Sequence, residues 1–312
     1  MSGVGHWMLW SDRGRSDASA SSWSAAPPTQ NSEQDTATFC FDESTNGSSA
    51  QGPPFAGQDT FKTDFRREYA RIGEWAAEEG WRYSTLPDLR VLVGDRYKIS
   101  KSLVPAWYGH AGHMEFPARR VAARKAAIAH ELVHVFFPNG NRLLAECLAV
   151  YVQAKIGGNP AFPNFGQPLH EVARARLREM VPEFAPGCPE SLASINLAAL
   201  DEIATPGPLA LKVGQDFYGE EPRGQAAIYP LAGSFAEFLI ETHGMEKLRR
   251  LYMRTPLVPH QRSPGPPGRW GDVYGRSLAD LELEWKTLMV GPDPEQALSD
   301  EATRPRRQSR SD

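Results

Sequence analysis

The sequence predicts a mostly helical α+β domain. Three observations lead there. Amphipathic stretches at helical spacing recur across residues 59–290. Two short apolar runs, "LRVLVGD" at 89–95 and "GHMEFPA" at 112–118, are bounded by turn residues and read as strands. The ends of the chain, 1–58 and 291–312, are rich in small, polar and charged residues and show no apolar period. Such segments bury too little apolar surface to offset their ordering entropy, so both are expected to be disordered around one folded unit at 59–290.

The elements follow in order. Phe61, Phe65, Tyr69, Ile72, Trp75 and Ala76 share one helical face, so a first helix is expected to end near Glu79. After the two strands a long helix is expected over 118–137, stopped by "PNG" at 138–140. Asn141 can cap a further helix over 142–156, which ends at Gly157-Gly158. Short helices are expected near 170–180 and 189–200, and a helix pair at 225–243 and 245–254. "TPLVPHQRSPGPPGRWG" reads as a long loop. Ser277 and Asp280 form a capping-box pattern for a last helix to Met289.

Composition excludes several function classes. The chain has 312 residues, with 34 basic and 38 acidic side chains. Seven of the acidic and two of the basic residues fall in 1–60, so the remainder is almost neutral. No nucleic-acid surface or polybasic membrane patch is expected. No run of about twenty apolar residues is present, so no transmembrane helix is expected. Three well-separated cysteines, Cys40, Cys147 and Cys188, make neither a disulfide framework nor a cysteine-based zinc module. With no signal-peptide pattern at the N-terminus, the cytoplasm is slightly favoured.

The chemistry concentrates in residues 130–146. His130, Glu131 and His134 spell "HELVH". On a helix, positions i and i+4 lie one turn apart on one face, so both imidazoles can reach one metal ion. Glu131 is rotated away from them by about 100°, which suits a base that addresses water rather than the metal. The surrounding residues are apolar, and a buried imidazole or carboxylate without a partner costs several kcal/mol. A catalytic zinc ion needs a third protein ligand and an open position. The metzincin pattern requires Gly at 137 and His at 140, whereas the sequence has Phe137 and Gly140. Glu146 is the better candidate. It stands on the apolar stripe of Leu143, Ala149 and Val150, and a turn at Pro138–Gly140 can fold its helix back beside the two histidines. The alternative role for Glu146 is an ion pair with Arg142.

"HELVH" followed by Glu in "LLAECLAVYV" resembles the gluzincin-type zinc metallopeptidases, in particular the peptidase MA-like family, which pairs HExxH with a downstream W/LxxEGLAxY. The stretches "YPLAGSFAEFLIETHGMEKLRRLY" (229–252) and "VYGRSLADLELEW" (273–285) resemble later helices of that family, so the likeness spans about 90–290. One departure is Cys147, where the family has Gly after the ligand Glu; a small residue still fits. The resemblance implies a zincin-like fold with a small mixed sheet and two active-site helices. It implies one Zn2+ held by His130, His134 and Glu146, with Glu131 as general base and acid in hydrolysis of a peptide or protein substrate. It also implies an oxyanion-stabilising phenol, for which Tyr229 is the position chosen. His110 and His113 are read as loop histidines, and His243 as a helix C-terminal cation. The strand at 112–117 is the candidate edge for pairing with an extended peptide. No GxMEN-like motif for a free amine is present. The competing expectation is a catalytically inactive peptidase-like domain that binds a peptide or protein partner.

Overall fold

The computed structural model describes residues 37–41, 57–83, 89–104, 112–205, 211–213, 216–218, 222–258 and 261–292. The architecture is α+β: helices dominate, and a four-stranded mixed sheet lies at one end of the chain order. Its strands are β1 (Thr38–Phe41), β2 (Arg90–Gly94), β3 (Lys101–Leu103) and β4 (His113–Pro117), in spatial order β1-β2-β4-β3. β1 and β4 run parallel to β2, and β3 pairs antiparallel with β4, Ser102 opposite Met114.

Two expectations change here. β1 lies inside the segment assigned to an unstructured 1–58, so the folded unit begins before residue 59. A four-residue apolar run, "TFCF", is lost when composition is averaged over so long a stretch. In place, Phe39 and Phe41 pack edge-on against the rings of Phe61 and Phe65. Second, β4 is not an edge strand. The short, half-polar β3 covers it, and β3 is the last strand on that side among the described residues.

Helix α1 (Gln58–Glu78) meets this sheet through buried Phe61 and Phe65, and Ile72 further along it is also buried. The Phe61 ring meets Phe116 of β4 at 5.3 Å. Burial of each such side chain contributes roughly 1.5–3 kcal/mol. The long helix expected over 118–137 is two: α2 (Ala118–Ala122) and α3 (Ile128–Phe136). Between them Arg124 takes a left-handed backbone (φ 53°) and donates to the buried Asp64 of α1. No Pro or Gly marks this break in the sequence; a tertiary ion pair holds it.

Helix α4 (Arg142–Lys155) follows α3 after a tight turn, and Asn141 caps it by accepting from the Leu144 amide. Then come α5 (Leu169–Met180), a 3-10 turn at Pro189–Leu192, α6 (Leu197–Asp201), the hairpin β5 (Leu211–Val213) and β6 (Asp216–Tyr218), and α7 (Pro222–His243). α7 crosses α4 so closely that a Cβ on Gly233 would sit 2.2 Å from Val150. The chain ends its described part with α8 (Met245–Tyr252), α9 (Arg269–Tyr274) and α10 (Leu278–Val290). α9 occupies the end of the stretch read as a loop. The Ser277–Asp280 capping box on α10 forms as expected. No helix among the described residues is long and apolar enough to cross a membrane.

Candidate metal centre

Helices α3 and α4 carry the site, and the turn between them sets their spacing. Gly140 has no room for a side chain: a Cβ would lie 2.8 Å from the Pro256 carbonyl and 2.9 Å from that of Ser263. The Gly140 amide donates to Thr255 at 2.7 Å, and its carbonyl accepts from the Thr205 amide at 2.8 Å. Buried Asn139 donates to the Tyr252 carbonyl and accepts from the Thr255 hydroxyl and the Asn141 amide. The Tyr252 hydroxyl donates to the carbonyl of Phe137. The C-terminal end of α8 thus clamps the turn. Further along, the His130 amide donates to the buried Gln153 side chain of α4 at 3.2 Å.

These restraints bring three ligand-type atoms together. His130 Nε2 lies 3.2 Å from His134 Nε2 and 3.2 Å from Glu146 Oε2, and His134 Nε2 lies 3.6 Å from that oxygen. Tetrahedral zinc with bonds of about 2.0–2.1 Å has ligand–ligand edges of about 3.3–3.4 Å. The observed triangle fits that size. Its chemistry fits as well. Glu146 is 1 % exposed and Oε2 has no well-directed hydrogen-bond partner among the described residues. The two imidazole nitrogens face each other, an arrangement in which one must donate or both must share a cation. Two imidazoles and one carboxylate also leave room for an open coordination position.

Glu146 faces both the histidines and Arg142, the partners that the sequence left as alternatives. Its Oε1 meets the Arg142 guanidinium at 2.7 Å, while Oε2 faces the histidines. Burial alone would raise its carboxyl, yet Arg142 and the imidazoles hold it well below the usual carboxylate range. Glu131 lies outside the ligand triangle. The Ser102 hydroxyl of β3 lies 2.9 Å from both its Oε2 and its carbonyl oxygen. Burial pushes the Glu131 carboxyl up, against the opposing pull of His130 and Ser102. Sequence reasoning missed Ser102, because a three-residue half-polar strand carries no periodic signal.

Tyr229, on α7, is brought to the site. Its ring centroid is 5.9 Å from that of His130. Burial raises its phenol further above the ordinary value, so it is neutral, and it sits against the Arg142 guanidinium. Neither His113 nor His243 belongs to this cluster. His113 on β4 meets Glu115 at 3.2 Å, and His243 ends α7 beside Glu284. His110 lies outside the described residues. Cys147 is fully buried in the core.

The site opens into a cavity of about 270 Å3. Ile99, Leu103, Val104, Pro138 and Leu257 give it apolar walls, and β3 forms one side. Among the described lining residues the acids are Glu131 and Glu146, and the cations are Lys101 and Arg142. No protein-family model, curated protein or solved structure matches the chain.

Proposed function

We propose that this chain is a zinc-dependent hydrolase, a peptidase of the gluzincin type on a zincin-like fold, cleaving amide bonds in a peptide or protein substrate. The observation that carries the reading is the convergence of His130 Nε2, His134 Nε2 and Glu146 Oε2 at edges of 3.2–3.6 Å. The ligand types alone suit several divalent ions; the helical His-Glu-x-x-His spacing with a third carboxylate ligand is what favours zinc. A zinc ion held there supplies Lewis acidity and lowers the pKa of water toward about 7.

The remaining roles belong to the protein. Glu131, held by Ser102, accepts a proton from the attacking water and delivers it to the leaving amine. Tyr229, a neutral phenol, can donate to the oxyanion of the tetrahedral intermediate. The outer side of β3, which pairs with no strand among the described residues, is where an extended peptide can pair its backbone, with apolar side chains against Ile99 and Leu257. The lining offers no further carboxylate among its described residues to recognise a free amine, which supports cleavage within a chain over removal of an N-terminal residue.

The second reading, a peptide-binding domain without turnover, draws on the Arg142–Glu146 contact, which satisfies one oxygen without a metal. The two readings separate on Glu131, for which binding alone has no use. Full-length protein is expected to hold one zinc per chain by elemental analysis and to cleave members of a mixed peptide library. Glu131→Gln is expected to keep the zinc and lose about 10²–10⁴ in rate. Glu146→Ala is expected to lose the zinc. Stoichiometric zinc with no Glu131-dependent cleavage of any peptide would overturn the hydrolase in favour of the binding domain.

A further inference from the structure

A carboxylate can offer a metal one oxygen or two, and the choice decides how many coordination positions stay open. At Glu146 the two oxygens have different surroundings. Oε2 faces His130 and His134, whereas Oε1 is 2.7 Å from Arg142, one helical turn earlier on α4. The backbone that carries Arg142 is anchored from behind. The Arg142 amide donates to the Ile203 carbonyl at 2.8 Å, and the preceding residue, Asn141, caps the helix. Its side chain borders the site cavity together with Tyr229, so it cannot follow Glu146 into the triangle without abandoning that wall. For both carboxylate oxygens to reach one ion, Oε1 must turn away from Arg142. That rotation breaks a charge-assisted hydrogen bond and leaves a largely buried cation unpaired.

We infer that Arg142 is a positioning residue: by holding Oε1 it restricts Glu146 to one-oxygen ligation and keeps a coordination position free for water or substrate. The inference rests on the metal reading above. The arrangement also differs from an ordinary buried ion pair, because only half of the carboxylate's acceptor capacity is used by the cation.

X-ray absorption of the zinc-loaded full-length protein tests it, with the visible spectrum of the cobalt-substituted protein as a second readout. Wild type is expected to show a four-coordinate shell and intense cobalt bands. Arg142→Met is expected to gain an oxygen neighbour and weaken those bands severalfold. Arg142→Lys, which still presents a cation to Oε1, is expected to return toward wild type. Identical shells in wild type and Arg142→Met overturn the inference and leave the metal reading standing. So does a wild-type shell that already contains both Glu146 oxygens, a result that decides the matter even if Arg142→Met does not fold. A wild-type protein that takes up no metal overturns both.

Discussion

Two arginine–carboxylate pairs with buried acids stand on either side of Asn141, and they are built differently. In the first, Arg142 meets Glu146, and one carboxylate oxygen is left facing two imidazoles. In the second, Arg269 of α9 meets Asp201 at the end of α6, and every oxygen is occupied. Asp201 Oδ2 accepts from Arg269 and from the Trp270 indole at 2.9 Å, and Oδ1 accepts from Asn141 at 3.0 Å. Arg269 also donates to the Asp201 and Pro266 carbonyls. Glu146, Asp201 and Arg269 are buried, where an unpaired charge is costly, and Arg142 is half-buried at the cavity wall. The saturated one fastens α6, α9 and the N-terminus of α4 together. The unsaturated one is where acceptor capacity remains for something the chain does not itself supply. What separates the candidate site from the clamp is an unspent acceptor that faces two imidazoles.

The sharpest way to break this comparison is to remove each acid. Asp201→Ala leaves Arg269 buried and unpaired, and a loss of about 3–5 kcal/mol is expected. Urea unfolding checks that figure, and the folded fraction is expected to bind zinc with unchanged stoichiometry. Glu146→Ala is expected to reverse the pattern by abolishing zinc binding. Loss of zinc in Asp201→Ala, with retention in Glu146→Ala, would show that the distinction between the two pairs is wrong.

A third buried acid sharpens the contrast, because it has neither arrangement. Glu68 of α1 is fully buried, and neither oxygen has a well-directed hydrogen bond among the described residues. Burial raises its carboxyl from 4.5 to about 7, only partly offset by the backbone of Ala129 and Gly158 and by the charge of Arg67. The folded state therefore holds this proton more tightly than the unfolded chain does. Its contribution to stability is complete below pH 4.5 and is lost as pH rises to about 7. The loss is roughly 3 kcal/mol. Glu68→Gln is expected to flatten that part of the pH–stability curve, measured by urea unfolding between about pH 4.5 and about pH 8. Parallel slopes in variant and wild type would place the titration elsewhere.

How far these features can be read from the sequence depends on whether their cause is local. α1, α4, the α7–α8 pair and the capping box at Ser277 were legible because periodicity and caps are local properties. His130, Glu131, His134 and Glu146 were legible as candidates for the same reason: two spacings and one apolar stripe. β1 and β3 were not, since four and three residues carry no period and their pairing partners lie far along the chain. Nor was the break at Arg124, which depends on Asp64 sixty residues earlier. Arg142 was visible only as a rival to the metal for Glu146. Its place as a simultaneous partner follows from which oxygen points where, a fact that spacing does not contain. The saturated clamp is the extreme case, drawing Asn141, Asp201 and Arg269 from three distant stretches.

Asn141 joins the two pairs and offers the finest test of their independence. Its side-chain oxygen caps α4 at Leu144, and its amide nitrogen donates to Asp201 Oδ1, to the Asp201 carbonyl at 2.7 Å and to Pro264. The next residue is Arg142, and Glu146 follows one turn later. Asn141→Ala removes the cap, worth about 1 kcal/mol, and strands buried acceptors at Asp201, worth about 1 kcal/mol more. If the clamp only fastens helices, that loss appears in unfolding alone and zinc affinity stays at the wild-type value. If it also sets the register of α4, affinity falls by up to about tenfold, within the range seen when groups behind metal ligands are removed. The backbone bond from Arg142 to Ile203, beside the clamp, favours the second outcome, because it ties the start of α4 to this neighbourhood. Competitive titration with a chelating dye, run beside the unfolding curve, separates the two.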